Sequence, residues 1–189
     1  NMQGVYVHIP FCKSRCIYCG FYSTTGLSLQ QRYVDAVCRE YELRRKSMCS
    51  PPTTIYIGGG TPSTLPYPCL EKLFSTLGSA DEVTLECNPD DVTDDFAAFL
   101  CRLPVNRVSM GAQTFSDGRL RFIGRRHTAG QVAEAVGRLR RAGIDNISID
   151  LMYGFPGETL DEWCNDIENA LSIDVEHLSA YALTYEEGT

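Results

Sequence analysis

Short runs in which apolar residues alternate with polar or small ones recur along the chain, and longer stretches of helical period lie between them. Residues 5–9, 54–58, 82–87, 107–111, 147–152 and 177–183 read as strands, because a period of two in Val, Ile, Leu and Tyr suits a pleated surface with one face covered. The intervening segments 30–46, 68–78, 93–102, 129–142 and 160–172 read as helices. Thr93 ahead of Asp94 and Asp95, and Thr159 ahead of Asp161 and Glu162, supply N-caps with acidic first turns. Gly78 and Gly143 stand where C-terminal stops belong.

Six strands alternating with five helices predict an α/β fold built on a parallel sheet with helices packed against it. A doubly wound open sheet and a partial barrel both satisfy that count. In either, sites collect at the carboxyl ends of the strands, and the polar motifs of this chain all follow or end a strand.

Composition narrows the functional classes. At 189 residues, 43% of them hydrophobic and 22% charged, the chain has the make-up of a single globular domain. A net charge of −7 argues against nucleic acid or another polyanion as partner. Local basic groups at Arg44, Arg45 and Lys46 and at Arg138, Arg140 and Arg141 fall within helical patterns and read as solvated faces. No run of 18 apolar residues predicts a membrane span, and no secretory signal opens the chain. Nine cysteines, an odd number, then read as reduced thiols of a cytoplasmic protein. Asn1 ahead of Met2 reads as a tag remnant, and the stop just past the sixth strand reads as a chain cut before a further segment.

Three of those cysteines fall within eight residues, in Tyr6-Val-His8-Ile-Pro10-Phe-Cys12-Lys-Ser-Arg-Cys16-Ile-Tyr18-Cys19-Gly-Phe21. Pro10 ends the first strand and throws the chain into a loop. Thiolates this dense point to a soft metal. A closed zinc site needs four ligands, whereas three thiolates on a 4Fe–4S cluster leave one iron without a protein ligand. Both remain open on the cysteines alone. Cys38, Cys49, Cys69, Cys87, Cys101 and Cys164 lack ligand spacing and read as small buried apolar residues.

Other chemistry sits at strand ends. Gly58-Gly59-Gly60-Thr61-Pro62-Ser63 exposes backbone groups to a ligand, or makes a tight strand-to-helix turn; no Gly-Lys-Ser/Thr follows, so it is no Walker loop. Glu86, in Leu85-Glu-Cys87-Asn-Pro, points inward by alternation and needs a cation or hydroxyl there. Gln113 follows the fourth strand, Arg125 opens Arg125-Arg126-His127, and Asp150 lies among apolar neighbours in the fifth strand. Arg125 and Asp150 are expected either to bridge or to clamp a ligand jointly. Tyr153-Gly-Phe155-Pro-Gly157 is a turn suited to lining an adenine pocket, His127 is expected to be polar lining, and His8 and His177 read as structural. Tyr18 and Phe21 are placed to shield whatever the cysteines hold.

The Cys-x3-Cys-x2-Cys loop after a first strand resembles the signature of the radical S-adenosylmethionine (SAM) enzymes. Together with Gly-Gly-Gly-Thr-Pro-Ser, Glu-Cys-Asn-Pro, Ser-Met-Gly-Ala-Gln-Thr-Phe and Ile-Asp-Leu-Met-Tyr-Gly-Phe-Pro-Gly, it resembles the oxygen-independent coproporphyrinogen III oxidase (HemN) and HemW family over essentially all 189 residues. The resemblance implies a TIM-like partial (β/α)6 barrel as a single core domain, 1–189, with the family's C-terminal domain lying beyond it. It implies a 4Fe–4S cluster on Cys12, Cys16 and Cys19, whose open iron chelates SAM and whose electron splits the sulfonium. SAM contacts would fall on Tyr6, Gly59, Gly60, Thr61, Glu86, Gln113, Arg125 and Asp150, with a further one near Thr184. The oxidases resemble one another in a fourth cysteine two residues after the third, and this chain has Phe21 there. That departure resembles HemW, a haem-binding chaperone delivering haem to haem-accepting proteins. The alternative is an oxidase decarboxylating the propionates of coproporphyrinogen III with an electron donor, and the most distant is a zinc-binding scaffold.

Overall fold

A computed structural model of the chain describes residues 3–14, 16–20 and 22–184. Phe21, the two N-terminal residues and residues 185–189 lie outside the described residues.

Six strands form one parallel sheet: β1 (Gly4–Ile9), β2 (Thr54–Gly59), β3 (Glu82–Cys87), β4 (Arg107–Gln113), β5 (Asn146–Tyr153) and β6 (His177–Ala182). Their order across the sheet is their order in the chain. A doubly wound sheet reverses direction at a switch point. Consecutive order with right-handed crossovers instead keeps every helix on one face and curls the sheet around the other. The partial-barrel expectation is therefore the one that holds.

The helices are α1 (Gln30–Arg44), α2 (Tyr67–Leu77), α3 (Asp94–Leu100), α4 (Asp117–Phe122), α5 (Ala129–Arg141) and α6 (Leu160–Ser172). In α1 the buried positions Gln30, Val34 and Cys38 repeat every four residues, so one stripe faces the sheet. In α2 the stripe is Cys69, Leu70, Leu73, Phe74 and Leu77, and Gly78 stops the helix at φ 80°. The expected caps are present: Thr93 Oγ1 accepts from Phe96 N and Thr159 Oγ1 from Glu162 N. Sequence reading missed α4. At six residues it is too short to show a period, and its only local signal is Ser116, whose hydroxyl accepts from Arg119 N.

Alternation along each strand divides the sheet into two faces. Val7, Ile9, Ile55, Ile57, Val83, Leu85, Val108, Met110, Ile147, Ile149 and Leu151 face the helices in one continuous core. Full burial of each large side chain there contributes about 1.5–3 kcal/mol relative to exposure. The other face carries polar residues, and its upper part is the site.

The cysteines outside the loop divide. Cys38, Cys69 and Cys87 are buried as expected, but Cys49, Cys101 and Cys164 are exposed. They sit before β2, just after α3 and on the outer side of α6, where no second layer covers them.

Candidate functional site

At the carboxyl end of the sheet lies a cavity of about 380 Å³, within the range of small-molecule sites. Cys12, Cys16 and Cys19 line one side, and Gly59, Gly60 and Thr61 another. Glu86, Gln113, Arg125 and Asp150 complete it from β3, β4, the segment after α4, and β5, with Thr184 and Tyr181 at the β6 side. Ten of the eleven sequence-derived site residues thus share one cavity. Tyr6 is not among its lining residues: it stands on the inner face of β1, 60% exposed, and donates to His8 Nδ1 at 3.0 Å. His8 Nε2 in turn meets the Tyr22 carbonyl at 3.0 Å; a carbonyl only accepts, so the proton sits on Nε2.

The cysteine loop is fixed at its base by backbone. Cys12 N donates to Thr24 O and Thr24 N to Pro10 O, closing the loop on itself. Gly60 N donates to Ile9 O and Thr61 N to Phe11 O, which lays the glycine loop against it. Two side chains reach the sulfurs: Thr61 Oγ1 donates to Cys12 Sγ at 3.6 Å and Arg125 Nη1 to Cys16 Sγ at 3.8 Å. Such donors complement the charge of a thiolate or a thiolate-bound cluster. Among the described residues, no three His, Cys, Asp or Glu side chains converge on a single ion. Tyr18, expected to shield whatever the cysteines hold, lines the cavity together with Cys16.

Gly59 and Gly60 line the cavity, and all three glycines also make room inside the protein. A Cβ at Gly58 would lie 2.7 Å from the Glu86 carboxyl, and one at Gly60 2.8 Å from Phe11 O and 3.0 Å from Cys12 Sγ. At Gly59, φ is 115° and a Cβ would meet the His8 ring at 2.7 Å. The glycines make room for this protein's own side chains.

Three carboxylates line the cavity: Asp90, paired with Arg126, and two from the sheet, Glu86 and Asp150. Glu86 accepts from Tyr56 Oη at 2.8 Å and from Gly59 N at 3.0 Å, and burial pushes its pKa up, these two donors pulling it back. Asp150 is likewise raised by burial, opposed by Ser179 and Ser109; the Ser109 hydroxyl is 3.4 and 3.5 Å from its two oxygens. Among the described residues, neither has a cation within ion-pair reach. The direct Arg125–Asp150 bridge is not formed. Half-buried Arg125 instead donates through Nη2 to Asn88 Oδ1 at 2.7 Å and to Gly111 O at 2.5 Å, leaving Nε without a partner. A Cβ at Gly111 would come within 3.1 Å of that Nη2, so the guanidinium is seated on the backbone of β4. The bulge between Gly111 and Gln113 aims Gln113 at the cavity, with its φ at 69°.

Two further expectations are corrected. His127 does not line the cavity; it is 3% exposed behind β4, with Nε2 bonded to Ala112 O at 3.0 Å. Burial, then Arg125, lowers its pKa to about 4, so the ring is neutral. The turn after β5 points away: Tyr153 packs on Trp163 at 5.2 Å, and Phe155 joins Ile123 and Met152 in a small separate core. Only Met152 of that group reaches the cavity. The site residue that sequence reading passed over is Asn88, which accepts from Arg125 and donates to Thr61 Oγ1 at 3.4 Å. Its signal was its place between Glu86 and Pro89 at a strand end.

The profile of the Radical SAM superfamily matches residues 6–170. The chain is 38% identical over 195 residues to the heme chaperone HemW of Lactococcus lactis subsp. lactis, covering 99% of this chain and 50% of that protein. It is 39% identical over 200 residues to the heme chaperone HemW of Bacillus subtilis, covering 100% and 52%. It therefore spans about half the length of the curated relatives it matches. Among solved structures, the coproporphyrinogen III oxidase HemN from Escherichia coli superposes with a TM-score of 0.89 at 25% identity, over 98% of this chain and 45% of that one. The fold alone is shared with methylornithine synthase, TM-score 0.70 at 10% identity, over 100% and 55%.

Proposed function

The chain belongs to the radical SAM superfamily, and on that premise we propose that it is the cluster- and SAM-binding core of a HemW-type haem chaperone. The superfamily implies SAM and a 4Fe–4S cluster. The observation that carries the assignment to these residues is the single cavity shared by three thiols, a glycine loop and two carboxylates without cation partners. The donor set fits the group: a cluster is bound through separate irons and does not require the three thiols to converge on one point. When bound, such a cluster supplies one electron and an open iron position.

On this reading Cys12, Cys16 and Cys19 hold the cluster, and Thr61 and Arg125 donate to its sulfur side. Glu86 and Asp150 offer negative charge and acceptor oxygens to the ammonium and ribose hydroxyls of SAM. Gly59 and Gly60 present backbone, Gln113 an amide, and Arg125 the positive charge for the SAM carboxylate. Tyr6 contributes from the inner face of β1, together with His8. No helix among the described residues is long and apolar enough to cross a membrane. Haem as cargo, and haem-accepting proteins as its recipients, follow from the likeness to HemW and from Phe21 in place of a fourth cysteine. The second reading, oxidative decarboxylation of coproporphyrinogen III with an external electron donor, draws on the superposition with HemN.

The test is anaerobic reconstitution of the full-length protein with iron and sulfide. About four irons, bound in the wild type and absent in Cys16→Ala, support the cluster assignment. Tight haem binding without vinyl product from coproporphyrinogen III supports the chaperone; SAM cleavage coupled to that product replaces it with the oxidase.

A further inference from the structure

Asp91 follows β3 and its side chain is only 2% exposed. Its carboxylate accepts from three directions. Lys13, inside the cysteine loop, donates to Oδ1 at 2.5 Å; Arg126, next to Arg125, reaches the same oxygen at 3.4 Å; and Ser63, past the glycine loop, donates to Oδ2 at 2.8 Å. Arg126 also pairs with Asp90. One buried acid thus ties together the three segments that carry the thiols, the glycine backbone and the guanidinium of the site. Lys13, Arg126 and Asp90 line the cavity, and none of the four charged residues belongs to the hydrophobic core.

We propose that Asp91 is a positioning residue, an ionic latch that acts through Lys13 to hold the cysteine loop in its metal-binding arrangement. The inference rests on the reading of Cys12, Cys16 and Cys19 as cluster ligands. Lys13 lies directly beside Cys12 and three residues before Cys16, so its anchor restricts both sulfurs without touching either. Among the described residues, backbone bonds to Thr24 and to the glycine loop hold the base of the cysteine loop, at Phe11 and Cys12. Beyond Cys12, Ile17 N donates to Ile123 O at 3.4 Å and Arg125 bonds Cys16; Thr61 holds the Cys12 sulfur itself, and Lys13 is the charged tether on the residue beside it. Outer contacts of this kind typically alter metal retention by roughly 10- to 100-fold.

Asp91→Asn, Lys13→Met, Lys13→Arg and the double variant Asp91→Asn/Lys13→Met are compared in the full-length protein. Two rates are measured: iron release from the reconstituted protein to a ferrous chelator, and alkylation of Cys12 and Cys16 in the metal-free protein, resolved by peptide mass spectrometry. The latch predicts both rates up by about 10-fold or more in Asp91→Asn and in Lys13→Met. It also predicts no further rise in the double variant, because coupled partners are not additive, and rates near wild type in Lys13→Arg. Wild-type rates in Asp91→Asn, or additive effects in the double variant, overturn it. Should Asp91→Asn fail to fold, Lys13→Met decides alone, and wild-type rates there overturn the proposal. A wild type that takes up no iron sinks the cluster reading, and the latch is then judged on alkylation, which needs no metal.

Discussion

The two faces of the sheet are written by the same alternation and obey opposite rules. On the helix-facing side Ile57, Leu85, Met110 and Ile149 are fully buried among apolar neighbours, and nothing there asks for a partner. On the inner side Tyr56, Glu86, Ser109 and Asp150 are also largely covered, but each polar atom has been given a specific donor or acceptor. The first face is satisfied by volume and the second by geometry. The difference teaches where stability and chemistry reside in this fold: substitutions on the outer face should unfold it, and those on the inner face should spare the fold and change what it binds.

The largest effect is expected on the outer face. Leu85→Ala leaves a cavity between β3 and the helices and should cost about 2–5 kcal/mol in urea unfolding, with SAM affinity unchanged in the protein that remains folded. Unchanged stability there, with a loss of binding, would reverse the comparison.

pH separates the faces by sign. His127, behind β4, has a folded pKa of about 4 against an ordinary value of 6.5. Its neutral form is the one the fold accepts, so stability is full above pH 6.5 and falls as pH drops towards 4, by up to about 3 kcal/mol. His127→Gln should flatten that slope. Glu86 and Asp150 run the other way: their folded pKa values are raised, so the folded state holds its protons longer and stability declines as pH rises above the ordinary carboxylate range. Glu86→Gln should remove part of that decline and be no less stable than wild type at pH 7. It should nonetheless weaken SAM by about 1.5–3 kcal/mol, the usual worth of a hydrogen bond to a charged group. Denaturation at several pH values and a SAM titration check both halves.

The smallest effect concerns one backbone angle. Gln113 holds φ 69°, a left-handed conformation that costs an ordinary side chain about 1–2 kcal/mol. Gln113→Gly should therefore melt slightly higher than Gln113→Ala, while both bind SAM more weakly.

Much of this was legible in the sequence. The strands emerged within a residue or two because a covered sheet imposes period two, and the cavity emerged because its residues end strands. Strand order was not legible, since alternation says which face a residue takes and nothing about its neighbour. The direct Arg125–Asp150 bridge failed for a related reason. Charge invites charge, but the guanidinium found Asn88 and the Gly111 carbonyl, and a backbone acceptor leaves no trace in residue type. The glycines were noticed but the room they make inside the protein was not, because what a missing Cβ admits can lie far along the chain, as with Gly58 and Glu86. Asp91 had no signal beyond an acidic pair after a strand, and its three donors come from segments far apart in the chain.

Strand order has a consequence for synthesis. Because every strand pairs with the one made just before it, the sheet can be zipped from the first strand onward as the chain leaves the ribosome, each closure spanning only one helix. The thiol loop is laid down in the first twenty residues, yet Arg125 and Asp150 arrive more than a hundred residues later. A nascent chain therefore carries its cysteine loop open to the solvent until the fifth strand has been made, and only then can the pocket take shape around it.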